Sequence, residues 1–117
     1  MVEYTISEII VDYLISEGVE YAFGVPGHGC TAFTDVFCDR AGKMKPIMVR
    51  HEQGAVHAAD GYYRASGRPA ICFTSIGPGA TNLVTGLATA YVDSSALIAL
   101  CGCEPQKDVE SGVLQAI

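Results

Sequence analysis

The sequence predicts an α/β domain of three layers, a parallel sheet of about four strands with helices on both faces. Three observations carry this. Helical and strand-like patterns alternate along the 117 residues without a long linker. The strand-like runs are continuously apolar, as in strands covered on both sides. Each intervening helical stretch is long enough to return the chain parallel to the strand before it.

Thr5 and Glu8 stand at capping-box spacing and open the first helix. Ile6, Ile9, Ile10, Tyr13 and Leu14 are expected to form its apolar face, and Gly18 stops it. Residues 20–23 read as a short strand that runs into Gly24-Val-Pro-Gly-His-Gly29. Residues 31–40 form the next helix, with Phe33, Val36 and Phe37 facing inward. A strand at 46–49 leads to a helix at 52–65, and a strand at 70–74 to a helix at 78–92. Residues 96–101 are the most apolar strand. A polar loop at 104–110 follows, and Val113-Leu-Gln-Ala-Ile117 starts an apolar pattern that stops within one turn. The expectation is a single, incomplete domain over residues 1–117.

Half of the residues are apolar, enough for the core of one small domain. The net charge of −6 comes without any cluster of Lys or Arg, which excludes a phosphate-tracking nucleic-acid surface. The long apolar stretch 84–103 carries Asp93, Ser94 and Ser95 at its centre and reads as a helix plus a buried strand, not a membrane span. Glu3 and Glu8 interrupt the first turns, so no secretory signal is expected and the location expected is cytoplasmic. Of the five cysteines, Cys38, Cys72, Cys101 and Cys103 lie within or beside apolar segments and are expected to be buried free thiols. Cys101-Gly-Cys103 lacks a second ligand pair, and no metal site is assigned.

Four motifs fail on chemistry. Gly24-Val-Pro-Gly-His-Gly-Cys-Thr31 has the glycine spacing of a phosphate-binding loop but Cys30 where the lysine must be. Gly77-Pro-Gly-Ala-Thr-Asn82 imitates a dinucleotide fingerprint, with Asn82 where the third glycine belongs. His51-Glu52 would need a second histidine at Ala55 to bind zinc. Ser75 has one flanking glycine of a nucleophile elbow, and no triad partner can be matched to it.

The surviving constellation is Arg50-His-Glu52, just past an apolar run, together with Ser75-Ile-Gly-Pro-Gly-Ala-Thr-Asn82 one βα unit later. In a parallel sheet both are expected at the carboxyl ends of neighbouring strands, where such folds build their sites. A carboxylate in the first turn of a helix is often only a partner for the helix dipole. Beside glycine-rich loops from other strands it is also placed for proton chemistry. These motifs resemble the pyrimidine-binding domain of thiamin-diphosphate enzymes, the group of acetolactate synthase, benzoylformate decarboxylase and trihydroxycyclohexanedione hydrolase. The resemblance runs over essentially the whole chain.

The resemblance implies thiamin diphosphate as cofactor and a 2-oxo acid or related substrate in a carboligase or C–C lyase. Glu52 would bond the aminopyrimidine ring nitrogen and so enable the exocyclic nitrogen to take the thiazolium C2 proton. His28 would face the substrate as a second catalytic group. Pro26, Gly27, Thr74, Pro78, Gly79 and Asn82 would contact the cofactor with Glu52, and Gln115 resembles a family glutamine near the site. Ile76 within the second motif resembles the hydrolase type more than most acetolactate synthases, and the absence of a histidine near Thr74 sets the chain apart from simple decarboxylases. The family's Gly-Asp-Gly…Asn motif for Mg²⁺ and the diphosphate does not occur in this sequence. Only the pyrimidine end would therefore be held here, with the Mg²⁺ and diphosphate site in a missing domain or partner chain, and the chain alone would be inactive. Gly54, Gly61, Gly86 and the alanines 55, 58, 59, 88 and 90 are expected to let helices approach closely, in the family against a second subunit. Two alternatives remain: a non-catalytic or split-subunit assembly module that pairs with a separate diphosphate-binding chain, and a Rossmann-like nucleotide binder.

Overall fold

The computed structural model describes residues 3–103. The segments 104–110 and 113–117 and Gln115 lie outside the described residues.

Helix α1 (Ile6–Ser16) starts at the anticipated capping box: the Thr5 hydroxyl accepts from Glu8 N at 3.2 Å, and Thr5 N donates to the Glu8 carboxylate at 2.7 Å. Strand β1 (Tyr21–Gly24) passes through a 3₁₀ turn (His28–Cys30) into α2 (Thr31–Asp39). Then follow β2 (Lys45–Met48), α3 (Glu52–Ser66) and β3 (Ile71–Thr74). After β3 come the one-turn helix α4 (Pro78–Thr81), α5 (Val84–Val92) and β4 (Ile98–Cys101). His51 caps α3, its Nδ1 accepting from Gln53 N at 3.2 Å, and Gly67 ends it in the left-handed conformation, φ +70°.

The four strands are all parallel, in the order β2-β1-β3-β4. α1 packs on α2 over one face, α3 on α5 over the other. The two faces of β3 feed separate cores. Ile71 and Phe73 join Val11, Val36, Phe37 and Met44 beneath α1 and α2, while Ala70 and Cys72 join Ala55, Val56, Ala59 and Leu83 beneath α3 and α5. Phe37 and Phe73 meet at 5.2 Å between ring centroids, and burying each contributes about 1.5–3 kcal/mol. The three-layer α/β expectation holds.

The structure corrects five details. In α1 it is Ser7 and Val11 that are buried, with Leu14 and Ile15 against the core, whereas Ile6 is 76% exposed and Ile9 and Tyr13 also face outward. Apolar residues occupy more than one side of this helix, so periodicity alone did not select the inner face. The helix expected over 78–92 breaks at Asn82–Leu83. There the Thr81 hydroxyl donates to Pro78 O at 2.9 Å and Leu83 N turns to Ala80 O at 3.1 Å, a tighter i→i+3 pattern.

Of these four strands only β3 is buried at every position; β2 exposes Ile47 and Met48 and β4 alternates, because among the described residues both are edges of the sheet. Among the cysteines, Cys30 and Cys72 are buried, while Cys38, Cys101 and Cys103 are exposed. The small residues divide likewise. A Cβ on Gly86 would meet the Val56 side chain at 2.6 Å, which makes Gly86 the contact point of α3 and α5 within the chain, while Gly54 and Gly61 face open space.

Candidate functional site

The strand order reverses direction between β1 and β3: the chain leaves β1 towards β2 on one side, and β3 towards β4 on the other. Beyond the carboxyl ends of such a pair the loops diverge and leave a crevice. Here the loops after β1 and β3 pack closely on one another along a seam of main chain. Val25 N donates to Phe73 O at 3.3 Å, and a Cβ on Gly24 would lie 2.3 Å from that same oxygen. A Cβ on Gly27 would strike Ser75 at 2.5 Å, one on Gly29 would strike Ile76 at 2.2 Å, and one on Gly102 would lie 2.5 Å from Gly29 O. Gly102 N donates to Thr74 O at 3.1 Å, which draws the end of β4 into the same seam.

Glu52 enters from the far side as the first residue of α3, half-buried, where its charge complements the helix dipole. Its Oε2 accepts from Asn82 Nδ2 at 3.0 Å. Its Oε1 lies 3.5 Å from where a Cβ on Gly79 would stand, and the Thr74 hydroxyl is 2.4 Å from that point. Thr74 is completely buried, and its Oγ1 has no hydrogen-bond partner. Gly77 makes the turn possible with φ +56°, and Pro78 fills the first position of α4.

Of the residues the sequence singled out, the structure gathers Glu52, Thr74, Gly79 and Asn82. Pro78 is exposed beside Gly79, and Gly27 lies across the β1–β3 seam against Ser75, with Pro26 exposed next to it. His28 is exposed on the 3₁₀ turn, where its carbonyl accepts from the Thr31 hydroxyl at 2.9 Å. No hydrogen bond ties its imidazole to the Glu52 group among the described residues. Burial pushes the Cys30 thiol up, against the opposing effect of its Gly27 backbone bonds, so it stays a protonated neighbour of the loop.

Sequence reasoning missed Ser75 and Gly102 as parts of the seam. Nothing in local spacing marks a serine as the surface that a glycine two strands away must touch. Glycine after the last apolar strand was visible as a turn signal, though its close approach to Gly29 was not.

The fold and site define a class: a parallel α/β domain with a carboxylate and glycine-rich loops at the head of the sheet, beside its switch point. The chain belongs to the family described as thiamine pyrophosphate enzyme, N-terminal TPP binding domain, whose model matches residues 4–117; thiamine pyrophosphate is another name for thiamin diphosphate. It is 49% identical over 111 residues to a probable acetolactate synthase large subunit of Methanocaldococcus jannaschii, covering 95% of this chain and 18% of that protein. It is 44% identical over 110 residues to an acetolactate synthase of Arthrospira platensis, covering 92% and 19%. The chloroplastic acetolactate synthase of Arabidopsis thaliana is 42% identical over 109 residues, covering 93% and 16%. The chain thus spans under a fifth of the length of these curated relatives. Among the described residues no helix is long and apolar enough to cross a membrane.

Proposed function

We propose that this chain is the pyrimidine-binding segment of a thiamin-diphosphate-dependent, acetolactate-synthase-like carboligase or C–C lyase, and that Glu52 is its cofactor-activating group. The observation that carries the reading is the state of the Glu52 carboxylate. One oxygen is held by Asn82, and the other, on the side of Gly79, has no hydrogen-bond partner among the described residues. The orphaned Thr74 hydroxyl in the same place supports the fit, since a buried polar atom without a partner calls for a ligand or water. These residues suit a planar, nitrogen-bearing ring of limited thickness, the pyrimidine end of the cofactor.

Thiamin diphosphate supplies the carbanion chemistry of such enzymes. The chain's part is to orient and to polarise. Glu52 holds or gives a proton at the ring nitrogen through Oε1, with Thr74, Pro78 and Gly79 shaping the wall beside it and Gly27 and Pro26 the wall opposite. His28, at the mouth of the crevice, is assigned to the substrate side, where an imidazole can carry a proton or pair with a 2-oxo acid carboxylate. Mg²⁺ and the diphosphate are assigned to a further domain or a partner chain, which leaves residues 1–117 without turnover by themselves.

Two experiments test this. In the full natural protein, Glu52→Gln is expected to slow exchange of the cofactor's C2 proton by about 10²–10⁴-fold, the usual weight of a positioned acid–base group. Unchanged exchange would remove Glu52 from the role. Purified residues 1–117 with Mg²⁺, thiamin diphosphate and pyruvate should show no turnover, and measurable product would refute that assignment.

One observation favours a split or assembling subunit as a second reading. The outer face of α5 exposes Val84, Tyr91 and Val92, and a shallow groove of 650 Å³ runs along it between Val84, Ala88 and Asp93. Exposed apolar surface of this kind suits a partner, either a second copy or a chain carrying the diphosphate site. Retention of a separate diphosphate-domain chain on this one would favour the split enzyme. The family assignment leaves the nucleotide-binding alternative without a supporting observation.

A further inference from the structure

We infer that Asn82 is a positioning residue for Glu52 and not a contact of the cofactor itself; the inference rests on the proposed role of Glu52. Asn82 is the C-cap of α4, at the break between α4 and α5. Its backbone N–H is bound to Pro78 O at 3.0 Å, and the next residue, Leu83, is completely buried. Its side chain therefore projects from a fixed mount. Glu52 projects from another, the first turn of α3, where Ala55 and Val56 are completely buried. The bond from Asn82 Nδ2 to Glu52 Oε2, at 3.0 Å, joins the two mounts.

The chemistry of the pair gives the bond a direction. An ionised carboxylate only accepts, so the amide must present its nitrogen and not its oxygen. With Oε2 occupied by that donor, the oxygen left for a ligand's proton is Oε1, on the side of Gly79. Asn82 thus fixes the rotamer of Glu52 and selects which oxygen reacts.

The test is a double-mutant cycle in the full natural protein, with thiamin diphosphate as the probe. It is read by calorimetry as the cofactor's dissociation constant for the apoprotein, and separately as the exchange of its C2 proton. Glu52→Ala is the reference background, because a glutamine would still accept from Asn82. Asn82→Ala is expected to worsen both readings by about tenfold when Glu52 is present, the low end for a hydrogen bond to a charged group. It should change the dissociation constant by less than about twofold in the Glu52→Ala background, since the partner is gone. Asn82→Asp, of the same size but with an acceptor facing an acceptor, should fall below Asn82→Ala. A loss of equal size in both backgrounds, or no loss in either, overturns the inference while leaving Glu52 in its role. Normal C2 exchange in Glu52→Gln overturns that role and the inference with it.

Discussion

Gly79→Ala is the sharpest single perturbation of this site. The added methyl carbon would lie 2.4 Å from Thr74 Oγ1. That is about 1 Å short of ordinary contact between nonbonded heavy atoms. Thr74 cannot give way, because it is completely buried and its carbonyl is tied to Gly102 N at 3.1 Å. The first turn of α4 must move instead. Overpacking of this kind costs about 1–3 kcal/mol in stability. The functional cost is larger, since a displacement of about 1 Å at a reacting group can lose on the order of 10²-fold in rate.

The methyl would also sit 3.5 Å from Glu52 Oε1 and cover the oxygen assigned to the cofactor. Calorimetric titration of thiamin diphosphate into the full natural protein, together with C2-proton exchange, reads both effects. Adding Thr74→Ala to the variant removes the colliding hydroxyl and should restore stability but not exchange, because the methyl still covers Oε1. A Gly79→Ala protein that binds and exchanges within about twofold of the unaltered one would refute this reasoning, for the Gly79 side of Glu52 would then face no ligand.

Four further outcomes follow from the same coordinates. Gly86→Ala should destabilise by about 1–3 kcal/mol in urea unfolding, because its methyl meets Val56 Cβ at 2.6 Å, and Val56→Ala in the same chain should not recover the loss, since that carbon remains. Asp60 is held below its ordinary value of 3.8, first by the Ser95 side chain and then by Arg64. Its contribution to stability is complete above that value and disappears as pH falls through the lower folded value, so Asp60→Asn should flatten the acid limb of an unfolding profile. Burial, with a smaller effect from Cys101, pushes the Cys72 thiol up to about 12, so iodoacetamide at pH 8 should label Cys38 and Cys103 in the native protein and spare Cys72 until it is unfolded. Thr5→Ala should fray α1, seen as earlier hydrogen exchange at Glu8, since it removes the hydroxyl that accepts from Glu8 N.

The sequence disclosed the layers and the rough limits of the elements through local signals: the Thr5–Glu8 cap, the Gly-Pro-Gly turn and the apolar run at β3. It also placed Glu52 and Gly79 at the carboxyl ends of strands, because strand direction follows from crossover length, but it took those strands as neighbours, whereas β1 lies between β2 and β3. What it lacked were relations between distant segments. The inward face of α1 depends on where the sheet lies, not on the helix's own pattern. The exposure of Ile47 and Met48 depends on β2 being an edge, which alternation of elements does not reveal. The bond between Asn82 and Glu52 joins residues 30 apart in the chain, which no local pattern announces.

The wall of glycines at the head of the sheet bears on how such a site can change over generations. At Gly24, Gly27, Gly29, Gly79 and Gly102 a first carbon would collide with a neighbour within 2.6 Å, so each accepts nearly no other letter of the alphabet. A binding surface drawn in main chain has little vocabulary for variation. New substrates must then be met by side chains that stand free of it, such as His28 at the rim, or by parts of the protein beyond this segment. These five positions are held still, and diversity is left to what surrounds them.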